Sequence, residues 1–435
     1  MFRIVVFLAV LLYSLLLAGY KVHGQKAGER LPAWEKGMLD IHHINTGAGN
    51  AAYFIFPDGT TLLVDAGELS PLDPRSNTPR NAPMRPSGRK RPYEWIVDYI
   101  RAVGPPRHKD TLDYALITHF HDDHFGAWHP DAPLSADQTY RLTGITGVGS
   151  QLSIRRLIDR GYPGYDFPFD LRKDAGRHPR GELEFGRTMS NYFDFLAAQQ
   201  KKGMKMDSLR TGSDSQIRPL YDSSYASTFR VRGVKSGRWI WTGVDSTAYD
   251  HFPASVSSRP ETWPDENSLS LVLLLQYGHF RYYTGGDCGG NLLEGEPSAR
   301  DVETPVSKVV GPVDVAVMDH HGNRDAVNAA QVKALRPRIW VGQTWSSDHP
   351  GHEVLLRMLS THLYAGPRDL FATNMLESNR LVIGTLIDRS YKSQQGHTVI
   401  RVEPGGERYW VLILDDTREG AYIRSVFGPY LSRVL

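Results

Sequence analysis

One nine-residue segment, Thr118-His119-Phe120-His121-Asp122-Asp123-His124-Phe125-Gly126, gathers three histidines and two aspartates in the order H-x-H-x-D-H. That spacing suits metal binding. His119 and His121, on alternate residues of an extended stretch, can reach one cation. Asp123 and His124, past a turn, can reach a second. Imidazole and carboxylate donors fit zinc, manganese or iron. A metal lowers the pKa of its bound water to ~7 and yields hydroxide at neutral pH. Such a hydroxide attacks a carbonyl or phosphorus centre, and Asp123 can orient it, so no Ser or Cys nucleophile is required. The chain has one cysteine, Cys288, which excludes an internal disulfide and a thiolate zinc site. Cys288 reads as a small packed side chain.

The elements that position this segment are legible around it. LDYALITH (112–119) is a buried strand that delivers the histidines at its end. Residues 37–67 contain strands with a Pro-Asp-Gly-Thr turn between FIF and TLLVD, a hairpin ending at Asp65. Tyr93 to Val103 has a helical period through Trp95, Ile96, Tyr99 and Ile100. Further on come two strands joined at Tyr277-Gly278 within 268–287, a strand in VDVAVMDHHG (313–322) and a helix near 325–335. Strand RIWVGQT (338–344), helix HEVLLRMLS (352–360) and a hairpin about Pro404-Gly405-Gly406 follow. Strands come in hairpins early and alternate with helices later, which predicts a layered α/β (α+β) fold with mixed sheets. Residues 127–260 are less regular, with one helical stretch near 182–202. They are expected to be an insertion over the site, a lid favouring a small or single-stranded substrate.

The H-x-H-x-D-H loop at a strand end resembles the metallo-β-lactamase superfamily. The resemblance implies a four-layer αββα sandwich with one or two bound metals, here expected as two zinc ions with manganese or iron possible. Asp65, ending LLVDAG, matches the family's structural aspartate. Asp287, in YYTGGD, matches its bridging carboxylate. The chain also resembles the branch containing the hydrolase domain of the competence protein ComEC, in Gly47-x-Gly49, ENSLSLVLLL (266–275), DHHGNRD (319–325) and DHPGHEVL (348–355). It departs from that branch in carrying Asn45 and Asn50 where acids are usual. Asn267 stands near the place of a further histidine, which implies a first metal that is completed by water or held less tightly. Of the pair His320 and His321, one is expected to ligate the second metal and the other to donate a proton to the leaving group. The reading assigns His320 as ligand and His321 as acid, with His349 a further late ligand or acid. The expected metal set is therefore His119, His121, Asp123, His124, Asp287 and His320, and the expected catalytic groups are Asp123, His321 and His349.

The 435 residues include 50 basic and 48 acidic side chains, a net charge of +2, with 40 % apolar and 23 % charged residues. This balance excludes a disordered, collagen-like or multi-span membrane chain, and no whole-molecule field points to nucleic acid. Arg85, Arg89, Lys90 and Arg91 cluster in a proline-rich loop, consistent with a solvated face. Met1-Phe2-Arg3 followed by an apolar run over 4–19 reads as a signal peptide, 1–24, cleaved before Gln25. The run is short for a membrane anchor. Residues 25–435 are expected as one secreted or periplasmic hydrolase domain with no membrane span of its own.

Three functions fit these residues: a phosphodiesterase or nuclease, a C–O or C–N hydrolase such as a lactonase or β-lactamase, and a non-catalytic metal-binding module. The ComEC resemblance favours a phosphoester substrate. The complete motif together with Asp287 argues against the inert module.

Overall fold

The computed structural model describes residues 26–174, 184–252, 263–292 and 298–434. The expected signal peptide lies outside them. No helix among the described residues is long and apolar enough to cross a membrane. In chain order the strands are β1 (Leu39–His43), β2 (Ala52–Ile55), β3 (Thr61–Val64), β4 (Thr111–Leu116), β5 (Ser153–Asp159), β6 (Lys205–Ser208), β7 (Phe229–Ser236), β8 (Trp239–Trp241) and β9 (Ala248–Asp250). There follow β10 (Val272–Tyr277), β11 (Phe280–Thr284), β12 (Val315–Val317), β13 (Ile339–Gly342), β14 (Asp369–Ala372), β15 (Tyr391–Ser393), β16 (His397–Val402), β17 (Arg408–Leu414) and β18 (Ile423–Leu431).

They form two nine-stranded mixed sheets, ordered β18-β17-β16-β1-β2-β3-β4-β5-β6 and β15-β14-β13-β12-β11-β10-β7-β8-β9. Each sheet is antiparallel through one part and parallel through the rest. The change falls at β3/β4 in the first sheet and at β11/β12 in the second. Alternating side chains explain the stacking, because strand residues point by turns to opposite faces. On β2, Ala52 and Phe54 face the inter-sheet core with Leu62, Leu273, Tyr282 and Ile413. Tyr53 and Ile55 face the other way, toward helices 92–103, 144–151 and 185–201. The second sheet buries its outer face under helices 303–310, 329–335 and 352–359. The result is the expected sandwich of two mixed sheets with helices outside. Phe54 meets Tyr282 edge-on at 5.6 Å between the sheets, a contact type worth ~0.5–1.5 kcal/mol beyond area burial.

The Pro57–Thr60 turn forms as expected, with Phe56 N–H donating to Thr60 O at 2.8 Å and the Asp58 carboxylate accepting from Thr60 N–H. The 127–260 segment differs from the expectation of an inserted lid. It supplies β5 and β6 in parallel beyond β4, and β7 antiparallel to β10. It is woven into both sheets, and among the described residues none of it lines the metal pocket. The proline-rich stretch after β3 borders that pocket instead. It is clipped down by Ala82 N–H to Trp345 O (2.8 Å), Ser347 N–H to Arg80 O (2.8 Å) and Arg85 N–H to Thr46 O (2.9 Å).

Candidate metal centre

The site is built from five loops that leave strand ends. After β3, Asp65 takes a left-handed backbone (φ 62), a region that Asp adopts more readily than most residues. Its carboxylate accepts from Thr118 N–H, from Thr118 Oγ1 and from His124 Nδ1, all at 2.8 Å. After β4 comes the histidine segment, with His121 capping a short helical turn, Asp122–Phe125, that carries Asp123 and His124. Gly67 lets this segment approach, because a Cβ there would lie 1.9 Å from Asp123 O. After β11 comes Asp287, whose N–H donates to Ser270 Oγ at 3.1 Å. After β12 come His320 and His321, in consecutive left-handed conformations (φ 45 and 57). For non-glycine residues each costs of order 1–3 kcal/mol and persists only where the surroundings impose it. His349 arrives on the loop after β13.

Asp123, His124, Asp287 and His321 bring four ligand atoms within 4.8 Å of one another, all buried. His321 Nε2 lies 2.8 Å from Asp123 Oδ2 and 3.3 Å from Asp287 Oδ2. His124 Nε2 lies 3.0 Å from Asp287 Oδ1 and 3.3 Å from Asp123 Oδ2. His119 Nε2 stands 3.1 Å from His121 Nδ1 and 3.9 Å from Asp287 Oδ2. Asp287 therefore faces both groups of donors, as a bridging carboxylate must.

The hydrogen bonds assign the tautomers. His124 Nδ1 donates to Asp65, and His321 Nδ1 donates to Gln343 O at 3.1 Å. His119 Nδ1 donates to Thr118 Oγ1 at 3.1 Å, since that hydroxyl proton is committed to Asp65. With Nδ1 held from outside, each ring turns its Nε2 inward, where His321 Nε2 meets Asp123 Oδ2 at 2.8 Å; an outer partner fixes a metal-binding imidazole in this way. His124 Nε2 and Asp287 Oδ1 are buried without a hydrogen-bond partner. Inward lone pairs facing carboxylates repel unless a cation or protons stand between them. Imidazole, carboxylate, burial and orphaned donors thus fit a divalent ion.

Charge shows the same demand. Burial opposes ionisation of His124, yet Asp287, Asp123 and Asp65 raise it well above the usual imidazole range. His321 is likewise opposed by burial and raised to about 9 by Asp287 and Asp123. Burial acts to raise Asp287, but His124, His321 and His320 pull it well below the usual carboxylate range. Burial and His124 hold His119 neutral.

His320 stands apart from the four-residue cluster. Its Nδ1 donates to Asp325 Oδ1 at 2.7 Å, and its Nε2 is 3.8 Å from Asp287 Oδ2 and 3.3 Å from Asn267 Nδ2. His349 stacks on His321 with ring centres 4.7 Å apart. Its Nδ1 accepts from Ser346 N–H at 3.2 Å, so Nε2 carries the proton. A cavity of about 240 Å³ opens onto His121, Asp123, Asp287, His320, His321 and His349, with Arg75 and Arg80 on its rim.

The sequence reading passed over several supports. Glu266 accepts from Phe120 N–H at 2.9 Å and forms a two-bond pair with Arg160 (2.5 and 2.6 Å), fixing the backbone between His119 and His121. Buried Lys235, lowered by burial to about 8, donates to Ser268 O and Ser270 O and clamps the loop carrying Asn267. Asp325 closes DHHGNRD, a segment in which the sequence assigned roles only to the histidines. Asn45 donates to Asp416 Oδ2 at 2.6 Å, so the acid usual at that position would here face another carboxylate. Cys288 is buried and its thiol is pushed up by burial, as a packed residue.

No family model matches this sequence, and no curated protein does. Among solved structures the chain is similar to human tRNase Z, short form, at 13 % identity over 69 % of this chain and 91 % of that one, with a TM-score of 0.31.

Proposed function

We propose that the protein is a metal-dependent hydrolase that cuts phosphodiester bonds. The observation that carries the hydrolase reading is the set of inward Nε2 atoms of His119, His124 and His321 around the Asp123 and Asp287 carboxylates. His119 and His121, with Asp287, would hold one ion, while Asp123, His124, His321 and Asp287 would hold a second. Zinc suits this all-imidazole and carboxylate set, as do manganese and iron. Bound there, such an ion supplies activated water near neutral pH and draws off charge from the reacting oxygen.

The chain's own groups do the rest. Asp123 accepts a hydrogen bond from the attacking water and orients it. His320 is the proton donor to the leaving group: it lies outside the four-residue cluster, its Nδ1–H is held by Asp325, and its Nε2 faces the pocket. This exchanges the roles assigned to His320 and His321 from sequence. His349 offers a neutral Nε2–H to an oxygen of the substrate. Arg75 and Arg80 lie at the rim of the cavity, paired there with Asp73 and Asp348; the choice of a phosphodiester over a lactone or amide rests on the sequence resemblance to the ComEC branch.

The test is metal content together with hydrolysis of bis-p-nitrophenyl phosphate by the chain from Gln25 onward. About two ions per chain, with turnover abolished by a chelator, is the expected outcome. Two ions with no turnover on phosphodiesters but turnover on lactones would overturn the phosphodiester reading. No bound metal would overturn the hydrolase reading altogether.

A further inference from the structure

Beside the metal pocket lies a second and larger chamber of about 730 Å³. The two share Leu69, Ser76 and Asn81 in their walls, so they adjoin. Their chemistry differs. The metal pocket is lined almost wholly by polar and charged groups. The chamber is walled by Ala48, Leu69, Pro71, Pro79, Pro83 and Met84. Glu68, Arg91, His129 and Asp131 also line it, with Arg91 reaching both Glu68 and His129.

The chamber wall is preformed. Prolines fix φ along it, and the three backbone clips described above tie it to the loops after β1 and β13. Gly47 sits against it so closely that a Cβ would lie 2.5 Å from Pro83 O. Met84 is nevertheless 44 % exposed. A volume in the range of small-molecule sites, mainly apolar with a few polar groups and adjoining the candidate metal pocket, is the form of a substrate subsite.

We propose that the hydrolysed substrate carries an apolar alkyl or aryl substituent, which the proline-rich chamber houses while the scissile group sits on the metal pocket. The substrate is thus amphiphilic. This rests on the hydrolase reading for the head group alone, since the chamber itself sorts substrates by their apolar part.

Calorimetric titration of the zinc-loaded protein with methyl-, butyl-, hexyl- and octylphosphonate, each as free monomer, tests this. Burying one methylene contributes ~0.8 kcal/mol, or about fourfold in affinity. The dissociation constant is expected to fall by up to about that factor per added methylene until the chamber is full. Met84→Asp, a change at a half-exposed side chain outside the candidate ligand set, is expected to leave methylphosphonate binding intact and abolish the gain from longer chains. Equal affinity across the series overturns the inference, as does an unaltered chain-length gain in Met84→Asp. A parallel series of alkanoates separates the two readings. Chain-length dependence with carboxylates and no phosphonate binding supports the chamber and overturns the phosphodiester assignment.

Discussion

Replacing Asp65 by Asn removes one charge and turns one acceptor into a donor, at a residue that touches no metal position. In the native site one carboxylate oxygen accepts from Thr118 N–H at 2.8 Å, and the other accepts from Thr118 Oγ1 and His124 Nδ1, both at 2.8 Å. An asparagine oxygen can keep the first bond. Its amide then meets the ring nitrogen of His124 as a donor, so the imidazole must accept there and carry its proton on Nε2. That nitrogen is the one 3.0 Å from Asp287 Oδ1, and once protonated it is no longer a ligand. Loss of such an outer partner typically weakens metal binding 10- to 100-fold, about 1.4–2.7 kcal/mol. Asn tolerates the left-handed backbone at this position, so the fold is expected to survive with at most ~1–3 kcal/mol lost, read from urea unfolding. Competition against a chromophoric chelator measures the affinity. Hydrolysis by the variant is expected to recover as metal is added in excess. Wild-type metal affinity in Asp65→Asn, whatever its rate, would refute the tautomer argument on which the site assignment stands.

Two further outcomes follow from named contacts. Asp325 is half-exposed and fixes His320. Asp325→Asn is therefore expected to leave metal content unchanged and to lower kcat by ~10- to 100-fold on diesters with alkoxide leaving groups, with little effect on a p-nitrophenyl ester that needs no proton. An equal loss on both would contradict His320 as the acid. His397 is buried and its charged form is held down to about 3 by burial, against ~6.5 when unfolded. Its folded pKa is depressed, so the folded state is most stable above ~6.5. As pH falls toward 3, stability drops by up to ~1.4 kcal/mol per pH unit, because only the unfolded chain takes up the proton. His397→Gln is expected to flatten the pH dependence of the urea midpoint across that window, and an unchanged slope would remove His397 from the explanation.

What was legible in the sequence is what is local. The H-x-H-x-D-H residues occupy six positions on one loop, and the strand that delivers them is apolar but for Asp113 between Thr111 and Thr118. Asp65 and Asp287 were found by resemblance at strand ends, where the structure also puts them. Which of His320 and His321 joins the cluster was not legible, because adjacent residues share a sequence environment. They differ only through two left-handed residues in a row, which send one ring to Asp325 and the other into the cluster. The 127–260 segment failed for another reason. Its strands are short or polar, as in KMDS, AYD and SIRRLID, and two of them, β6 and β9, lie at sheet edges where little burial is needed. Their order is set by pairing with β4 and β10, which no local pattern reports. Asp325, Glu266 and Lys235 were missed because they act through other residues rather than through any spacing of their own.

The position of the centre follows from the topology. In each sheet the change from antiparallel to parallel pairing falls between two strands whose following loops carry site residues. β3 and β4 are the first parallel pair of one sheet and lead to Asp65 and to the histidine segment. β11 and β12 are the first parallel pair of the other and lead to Asp287 and to His320–His321. In a parallel pair both strands present their carboxyl ends on the same side, so two loops emerge together there, whereas an antiparallel neighbour sends its connection back from the other end. In open α/β sheets ligands bind outside the carboxyl ends of the strands. Here the carboxyl ends of the two parallel pairs both lead to the site, and neither sheet alone supplies the whole cluster: Asp123 and His124 come from one, Asp287 and His321 from the other. Metal binding is thereby coupled to the docking of the sheets. A change that loosens the inter-sheet core near the site, such as Leu116→Ala or Val317→Ala, must weaken the metal as well as the fold, even though neither side chain is a donor.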